Sequence, residues 1–408
     1  MPSGFLNKRI AILSPSFPPD EIGGIATAHY HLYRLLKANR FSVRVFTFDS
    51  RANFTSANPG VYYFGLHPLI KVIIKRAFNL LFKFLDPGTM AFQASYCFIP
   101  IIPILQINYY LQKFKPDFVI LPDQGAPGLF LYKRKNTRWI LISHNNPSRF
   151  TADKRFGNIS VKDARLAVYL EDLVLKKVDW VLCPSRYMKS VFHKTYLFSG
   201  PVTVINNLID IETIQRIPAA TIKKKMDLAD NNPLIYIPSA GSEFKGAVYV
   251  PDLIMGLSSV KRNKMGFYLS GKIPQWLMEI ISNLPKYIKI YCPGQTDNFT
   301  NISIVKTCSF GITPTLAENF SMAILEANFC GLPMVAFDTG GVPEIIKNKI
   351  NGFLVPRNHI SELISKSSLL LNPKILKPMK IRTLKYVSGR FSTEAISRDY
   401  LQLFKEKI

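Results

Sequence analysis

The chain has 408 residues, of which 48% are hydrophobic and 19% are charged, so disorder over most of its length is excluded. The length predicts two domains, with one large α/β domain as the alternative. Lysine and arginine number 52 against 27 acidic residues, and the net charge of +25 favours phosphorylated substrates, anionic lipid or nucleic acid as partners. Five scattered cysteines without metal-ligand spacing are typical of free thiols in a reducing compartment.

The first elements predict a βαβ unit. RIAILSPSF at 9–17 is typical of a buried strand followed by a loop, 25–36 has helical apolar spacing, and SVRVFTF at 42–48 is typical of the next strand. Because a short polar start leads straight into the first strand, we expect no signal peptide. Gly23 and Gly24 lie between strand and helix, where glycine lets the backbone approach an anion; a loop that needs positive φ is an equal alternative.

The next region predicts a helix for a membrane surface. LIKVIIKRAFNLLFKFL at 69–85 mixes basic and apolar residues with helical spacing. Three cations can lie opposite three apolar side chains: Lys71, Lys75 and Arg76 against Ile73, Leu80 and Phe84. The alternative is a core or interdomain helix whose lysines reach water by their ends. The uncharged stretch 87–112 is long enough to span a bilayer, but its polar residues and prolines favour an embedded or surface-docking segment.

Short apolar strands alternate with helical stretches along the rest of the chain, which predicts parallel sheets covered on both faces. In the first half these strands are DFVILP (117–122), RWILIS (138–143), DWVLCP (179–184) and VTVI (202–205). In the second half they are LIYIPSAG (234–241), GFYLSG (266–271), IKIYCPG (288–294), SFGITPT (309–315) and PMVAFD (333–338). The pattern weakens over 206–233, where we place the domain boundary. Two doubly wound domains with a cleft between them are predicted, with ligands at the carboxyl ends of the strands.

Two basic side chains follow predicted strands. His144 closes the strand RWILIS, where a side chain faces the ligand-binding edge of such a sheet; turn or capping chemistry is the alternative. Lys245, in SEFKG, follows the first strand of the second half. A lysine there can neutralise a phosphate as a point charge, although a solvated lysine beside a turn glycine is the simpler explanation of an isolated Lys-Gly pair.

Glu318 and Glu326 stand seven residues apart in TPTLAENFSMAILEANFCG. We predict a strand, a turn and a helix that begins near Phe320 and ends at Gly331. Glu318 then lies beside the free amides of the first helical turn, which suit a phosphate or sugar oxygen. Two carboxylates there can accept hydrogen bonds from sugar hydroxyls; the alternatives are a favourable helix N-terminal charge for Glu318 and surface solvation for Glu326.

These residues make a family visible. The E-x7-E spacing, CGLPMVA, GGVPEII and NGFLVP occur in order and resemble the donor-binding region of family 4 glycosyltransferases. The resemblance extends more thinly through FPPDEIGGIA, KPDFVILPD, CPSRYMKS, VTVINNLID, FKG and RFSTEAISRDYLQLFKE. It implies the GT-B fold, two Rossmann-like α/β domains that face each other across a cleft. It also implies an acceptor-binding domain at 1–208, a donor-binding domain at 209–388, and a C-terminal helix at 389–408 that packs back on the first domain.

The resemblance implies a retaining glycosyltransferase whose donor is a UDP- or GDP-linked sugar, with no cofactor and no metal. Glu318 would contact the donor sugar, Glu326 the ribose, and Lys245 the diphosphate, with His144 near the reacting sugar. Catalytic roles are implied for Glu318 and His144, and donor-binding roles for Gly23, Gly24, Lys245, Asn319, Phe320, Ser321, Met322 and Glu326. The acceptor would be a glycan or a lipid-linked compound in cell-surface polysaccharide or lipopolysaccharide synthesis, handled on the cytoplasmic face of the membrane.

One position departs from the family. An arginine usually precedes the Lys-Gly pair by about five residues, and Ala240 stands there in PSAGSEFKG. This departure motivates the alternative of a catalytically inactive relative that only binds sugar nucleotides or glycans. A nucleic-acid binder has only the net charge in its favour, since no helix-turn-helix, zinc-ligand or RNA-binding aromatic pattern accompanies it, and we expect no nucleic-acid partner.

Overall fold

The computed structural model describes residues 8–19, 23–50, 59–91, 93–150, 158–260 and 265–404. The chain divides into two compact units, unit 1 with Met1–Leu208 and Ile396–Ile408, and unit 2 with Ile209–Ala395. Each unit contains one all-parallel sheet, which confirms the predicted fold class. Consecutive residues of the central strands are buried, so both faces of each sheet are covered.

Unit 1 is built on a seven-stranded sheet in the order β3-β2-β1-β4-β5-β6-β7. Its strands are β1 (Arg9–Ser14), β2 (Ser42–Thr47), β3 (Val61–Tyr63), β4 (Phe118–Pro122), β5 (Arg138–Ile142), β6 (Trp180–Cys183) and β7 (Val202–Val204). Its first six helices are α1 (Gly24–Ala38), α2 (Pro68–Leu85), α3 (Ala94–Phe98), α4 (Ile101–Phe114), α5 (Val161–Leu175) and α6 (Arg186–Thr195). The strand order reverses at β1, which pairs with both β2 and β4, and this reversal is where ligands bind in doubly wound sheets.

Unit 2 repeats this plan with six strands in the order β10-β9-β8-β11-β12-β13. Its strands are β8 (Leu234–Ile237), β9 (Gly266–Leu269), β10 (Lys289–Tyr291), β11 (Phe310–Thr313), β12 (Met334–Phe337) and β13 (Gly352–Val355). Its helices are α7 (Ile211–Arg216), α8 (Ile222–Lys225), α9 (Val250–Val260), α10 (Gln275–Ser282), α11 (Asn298–Val305), α12 (Met322–Phe329), α13 (Val342–Ile345), α14 (Ile360–Leu369) and α15 (Pro373–Arg390). Here the strand order reverses at β8, between β9 and β11.

The end of the chain differs from the prediction. The C-terminal helix predicted to start at 389 is two elements, because α15 ends at Arg390 in unit 2 and α16 covers Thr393–Leu403. After α16, Phe404 is buried in unit 1, where its ring lies edge-on to Phe41 at 5.8 Å and Phe118 at 5.2 Å. The Lys8 ammonium donates to the Phe404 carbonyl oxygen at 2.8 Å, which ties this end of the chain to the start of β1.

The uncharged stretch 87–112 contains α3 and most of α4. Ile104, Ile107 and Leu111 are buried in a core cluster with Phe46 and Trp139. Among the described residues, 94–114 is the one helical stretch long and apolar enough to cross a bilayer, and half of its apolar window is buried inside the protein. One side of α4 is therefore part of the unit 1 core.

On helix α2, Lys71 is anchored to unit 1, whereas most of the large apolar side chains lie in solvent. The Lys71 ammonium pairs with Asp49 at 2.7 Å and also donates to the Asp49 and Ser50 carbonyl oxygens. Eight large hydrophobic side chains of the helix are exposed, seven of them aliphatic and one aromatic: Leu69, Ile70, Val72, Ile73, Leu80, Leu81, Phe84 and Leu85. Phe82 is the buried residue of the helix. The alternative of a core helix with snorkelling lysines is therefore wrong, since a core helix buries its apolar face.

Candidate functional site

The loop after β8 holds Lys245 in a rigid turn. Glu243–Lys245 is one turn of 3₁₀ helix, and Gly246 follows with φ of +78°. A Cβ at Gly246 would lie 2.1 Å from the Pro314 carbonyl oxygen, so both conformation and space require glycine here. The Phe244 carbonyl oxygen accepts from the amides of Leu316 and Ala317, at 2.9 and 3.2 Å. The loops after β8 and β11 are thereby locked together at the strand reversal.

This locking brings Lys245 to Glu318. The Lys245 ammonium donates to Oε2 of Glu318, whose side chain is about nine-tenths buried. The other carboxylate oxygen of Glu318 accepts from the Asn319 amide at 3.0 Å. The main-chain carbonyl oxygen of Glu318 accepts from the Gly341 amide at 3.1 Å. A lysine and a carboxylate 73 residues apart in sequence therefore form one neutral pair beside α12.

Helix α12 begins at Met322, two residues later than predicted, because the Ser321 hydroxyl accepts from the Ile324 amide at 3.4 Å and caps it. The amides of Phe320, Ser321 and Met322 have no hydrogen-bond acceptor among the described residues. The Phe320 ring itself is buried against Phe391, with ring centroids 5.8 Å apart. Its side chain is therefore part of the packed interior, whereas the backbone of this turn leaves N–H donors that could receive an acceptor.

Glu326 lies in the second turn of α12 and is half-buried, which differs from a solvated surface position. Burial raises the pKa of its carboxyl to about 7. No hydrogen bond or ion pair to another described residue involves this carboxyl group. A half-buried carboxyl without a protein partner is suited to a ligand that donates hydrogen bonds.

Ala240 is buried, and its amide donates to the Ser270 carbonyl oxygen at 3.0 Å. Ser239 before it donates from its amide to the Ser270 hydroxyl at 3.2 Å. Ala240, which stands where the family has an arginine, therefore packs against the loop after β9. It supplies no cation at this position.

In unit 1, Gly23 and Gly24 begin α1, after β1. Gly23 has an extended backbone, with φ of −125°, and a Cβ on either glycine would meet no described atom within 4 Å. The alternative of a turn that requires positive φ is therefore wrong for Gly23. Both glycines are exposed, and neither the backbone conformation nor packing among the described residues explains them.

His144 follows β5 and is buried at the carboxyl end of the same sheet. Burial lowers the pKa of its imidazole to about 4, so the ring is neutral at pH 7. Its ring lies edge-on to that of His29 on α1, with centroids 5.7 Å apart. His29 is fully buried, its Nδ1 lies 3.0 Å from the Ser14 hydroxyl, and burial holds its pKa well below the usual range.

Asp123 organises the loop that carries His144, and the sequence reasoning missed it. This buried carboxylate, just after β4, accepts from the amides of His144, Asn145 and Asn146, at 3.0, 2.8 and 3.2 Å, and from the Ser143 hydroxyl at 3.1 Å. Burial still raises the pKa of Asp123. The available signal was an acidic residue directly after a predicted strand, in KPDFVILPD. His29 had no such signal, since it reads as one helix residue among others.

Within the described parts of the chain, no group of three or more histidine, cysteine or acidic side chains is arranged to hold a metal ion. The residues brought together are instead Lys245, Glu318 and the first turn of α12 in unit 2, and Asp123, His144 and His29 in unit 1.

Two doubly wound units with polar loops at their strand reversals define the class of GT-B proteins, and comparison with known families names the family. Residues 219–383 match the model described as glycosyl transferases group 1, and residues 22–213 match the model described as glycosyltransferase family 4. Together the two matches cover most of both units. The chain belongs to the group 1, family 4 type glycosyltransferases.

Solved structures agree on the fold. Sucrose-phosphate synthase from Thermosynechococcus elongatus superimposes with a TM-score of 0.78 at 17% identity, covering 98% of each chain. Anabaena HepE, solved with UDP and glucose, has a TM-score of 0.69 at 17% identity, covering 97% of this chain and 99% of its own. Identities this low establish the shared fold alone.

Among characterised relatives, the chain is 26% identical over 107 residues to N,N'-diacetylbacillosaminyl-diphospho-undecaprenol alpha-1,3-N-acetylgalactosaminyltransferase of Campylobacter jejuni, which covers 26% of this chain and 28% of that protein. The chain spans less than two thirds of the length of the curated relatives it matches.

Proposed function

We propose that the protein is a retaining, metal-independent glycosyltransferase that moves a sugar from a UDP- or GDP-linked donor to a glycan or lipid-linked acceptor. The observation that carries this proposal is the Lys245–Glu318 pair beside the unpartnered amides of α12. A diphosphate needs cationic and N–H donors, and a sugar needs hydroxyl acceptors. This one turn offers both, and the solved HepE complex, which holds UDP, has the same fold.

In this proposal, donor binding separates the Lys245–Glu318 pair and gives each side chain a new partner. The diphosphate takes the Lys245 ammonium, and the released Glu318 carboxylate accepts hydrogen bonds from donor sugar hydroxyls. The amides of Phe320, Ser321 and Met322 bind sugar and phosphate oxygens. The Glu326 carboxylate accepts from the ribose hydroxyls, and Asn319 and the exposed backbone at Gly23 and Gly24 complete the donor contacts.

The chemistry is departure of the nucleoside diphosphate from an oxocarbenium-like centre, with attack by the acceptor on the same face. The largest electrostatic task is to stabilise charge on the departing phosphate, which falls to Lys245 and the α12 amides. A neutral His144, fixed by Asp123, lies near the reacting sugar and donates or accepts a hydrogen bond without adding charge.

A thermal-shift panel of UDP-, GDP- and ADP-sugars tests the donor site, because binding raises the melting temperature by mass action. We expect one nucleotide class to stabilise the wild type, and Glu318→Ala to weaken that shift. Glu279→Ala removes an exposed carboxylate elsewhere in unit 2 and serves as the matched control. No shift with any donor would contradict the proposal.

The competing function is a catalytically inactive binding protein, favoured by the buried Ala240 in place of a cation. Slow donor hydrolysis in the absence of acceptor distinguishes the two functions, since a binding protein releases no free sugar. Hydrolysis that is lost in Glu318→Ala argues for the transferase.

The second part of the proposal is a cytoplasmic, peripheral location on an anionic membrane surface, in polysaccharide or lipopolysaccharide synthesis. Phe84 is 85% and Leu80 is 73% exposed on α2, and Arg76 and Lys83 are exposed on the same helix. A helix that presents apolar side chains and flanking cations to solvent matches the boundary of an anionic bilayer. The relative that acts on a diphospho-undecaprenol compound supports a lipid-linked acceptor.

Sedimentation with phosphatidylglycerol-containing vesicles at low salt tests this location. We expect the wild type to pellet with anionic vesicles, and Phe84→Asp to stay in the supernatant. Leu197→Asp is the matched control, because Leu197 is 99% exposed in unit 1 outside α2. Wild-type protein that stays soluble with these vesicles would refute the membrane part and leave the donor site untouched.

A further inference from the structure

The carboxyl edge of the unit 2 sheet carries few positive charges. Every loop that follows β8 to β13 is described, and three of their side chains are lysine or arginine: Lys245, Lys272 and Arg357. The ammonium of Lys245 is paired with the Glu318 carboxylate, so that pair has no net charge. The diphosphate of a sugar nucleotide is a dianion, and a charge-assisted contact from a further cation strengthens its binding at this edge.

The strand order distinguishes the two remaining cations. β9, which Lys272 follows, pairs directly with β8, whereas β13, which Arg357 follows, is separated from β8 by β11 and β12. With strands about 4.8 Å apart, the loop of Lys272 begins one strand spacing from the loop of Lys245, and the loop of Arg357 begins about 14 Å away. A doubly wound sheet binds ligands where the strand order reverses, which here is β8. Lys272 is therefore the second cation that borders this reversal.

Main-chain contacts hold the loop of Lys272 against the loop after β8. The Ala240 amide donates to the Ser270 carbonyl oxygen at 3.0 Å. A Cβ at Gly241 would lie 2.2 Å from the Lys272 carbonyl oxygen, so the two main chains are in contact there and a side chain does not fit. Gly271 turns the chain just before Lys272, with φ of +87°. The main chain of Lys272 is thereby fixed beside the position where the family has an arginine.

The Lys272 side chain, in contrast to its main chain, is exposed. No hydrogen bond or ion pair with another described residue involves its ammonium group. The acidic residue of the neighbouring loop, Glu243, is exposed as well and forms no ion pair with it. A lysine is a compact point charge on a flexible stem, so a fixed main chain at this position still lets the ammonium follow the oxygens of a ligand.

We propose that Lys272 is a second diphosphate-binding cation of the donor site, in place of the cation that Ala240 does not supply. The inference rests on the proposed function and adds one residue from the loop after β9. Lys245 and Lys272 hold the diphosphate from two adjacent loops, while the first turn of α12 contributes its amides from the loop after β11. Two cations also stabilise the charge that develops on the departing nucleoside diphosphate, so an alanine at position 240 is compatible with transferase activity.

Isothermal titration with UDP or GDP, whichever base stabilises the wild type in the donor panel, tests this role. We expect Lys272→Gln, which removes the charge but keeps a polar side chain, to weaken nucleoside diphosphate binding about tenfold. Lys272→Arg retains the charge, and we expect its affinity to stay within about threefold of the wild type. Lys286→Gln is the matched control and should leave affinity unchanged, because Lys286 is an exposed lysine that precedes β10, at the opposite edge of the sheet.

Salt separates a charge effect from a structural one. The affinity difference between wild type and Lys272→Gln should shrink as salt is added, since an exposed ammonium is screened. Unchanged affinity in Lys272→Gln, with the donor-induced rise in melting temperature intact, overturns the role of Lys272 and keeps the proposed function. Equal losses in Lys272→Gln and Lys272→Arg, or a loss that salt does not reduce, also overturn it. A wild type that no nucleotide stabilises is failure of the proposed function, and the inference fails with it.

Discussion

The two units use the same edge of the same kind of sheet, but they shape their loops by different means. In unit 2, main-chain contacts lock the loops after β8 and β11, and Gly246 is required by its φ and by the nearby Pro314 carbonyl. In unit 1, Gly23 is unconstrained, and the loop of His144 is shaped by one buried carboxylate, Asp123. A loop made by main-chain geometry leaves a local sequence motif, whereas a loop made by a distant side chain does not.

Replacing Gly246, in unit 2, should cause the largest loss of stability. Gly246→Ala must place a Cβ 2.1 Å from a backbone oxygen and hold an L-residue at φ of +78°. We expect a loss of about 3 kcal/mol in the free energy of unfolding. Gly294→Ala is the control, because Gly294 has φ of +83° but no described atom within 4 Å of an added Cβ. We expect this control to lose about 1 kcal/mol. Urea unfolding measures both, and equal losses would show that the contact with Pro314 is unimportant.

Removing Asp123 tests the unit 1 side. Asp123→Ala leaves three buried or half-buried amides and a hydroxyl without their acceptor, and we expect a loss of about 2–3 kcal/mol in stability. Activity should fall as well, because the His144 loop loses its fixed position. Asp172→Ala on α5 is a control of the same residue type. Full activity in a folded Asp123→Ala protein would argue against the positioning of His144 by this carboxylate.

Replacing Glu326 should have a smaller effect on stability, and it should stabilise the protein where the two previous substitutions destabilise it. The unfolded chain ionises this carboxyl near its ordinary pKa, whereas the folded chain holds the proton to about pH 7. The folded state therefore binds more protons between about pH 4.5 and 7, and stability falls as pH rises through that window. We expect Glu326→Gln to be more stable than wild type by about 2 kcal/mol at pH 8 and equal at pH 4.

The same carboxyl links donor affinity to pH. If ribose hydroxyls donate to Glu326, the ionised form binds, so wild-type affinity rises as pH increases through about 7. Glu326→Gln should lose this pH dependence, whereas Glu279→Gln should retain it. Melting curves and donor titrations over pH 4–8 measure both effects, and a constant stability difference between wild type and Glu326→Gln would rule out the linkage.

Among these substitutions, Gly23→Ala should change stability least. It tests the unit 1 glycine that corresponds to Gly246 in the comparison of the two units. Its extended φ accepts alanine, and the new Cβ meets no described atom within 4 Å. We expect less than about 0.5 kcal/mol of change in unfolding free energy. Donor turnover should nevertheless fall about tenfold, since a methyl group would obstruct the approach of a ligand. A variant as active as the wild type would remove the functional reason for this glycine.

Much of the fold and the local structure around Glu318 could be predicted from the sequence, for identifiable reasons. Buried parallel strands are continuous apolar runs, and all eleven predicted strands are present. The three-residue β3 and the Gly-led β13 were not predicted as strands, because one is too short for a periodic signal and the other begins on a residue that strands disfavour. The region of Glu318 was predictable because its parts are neighbours in sequence.

The remaining site features depend on contacts between distant residues. The pairing of Lys245 with Glu318 spans 73 positions, and Asp123 reaches the His144 loop across 21 to 23 positions. Periodicity and local motifs carry no information about such pairs. The stretch 69–85 was recognisable as amphipathic, but only packing shows that Lys71 contacts unit 1 while Lys83 and the leucines are exposed.

Leaving the apolar face of α2 in water costs free energy, and that cost falls whenever two such faces meet. In dilute buffer, the opposing force between two copies is the repulsion of a chain with net charge +25. Salt weakens that repulsion over a distance of about 8 Å at physiological ionic strength, whereas it leaves apolar contact intact. The purified protein should therefore be monodisperse in low salt and self-associate as salt is added, and light scattering along a salt gradient would show Phe84→Asp resisting the change.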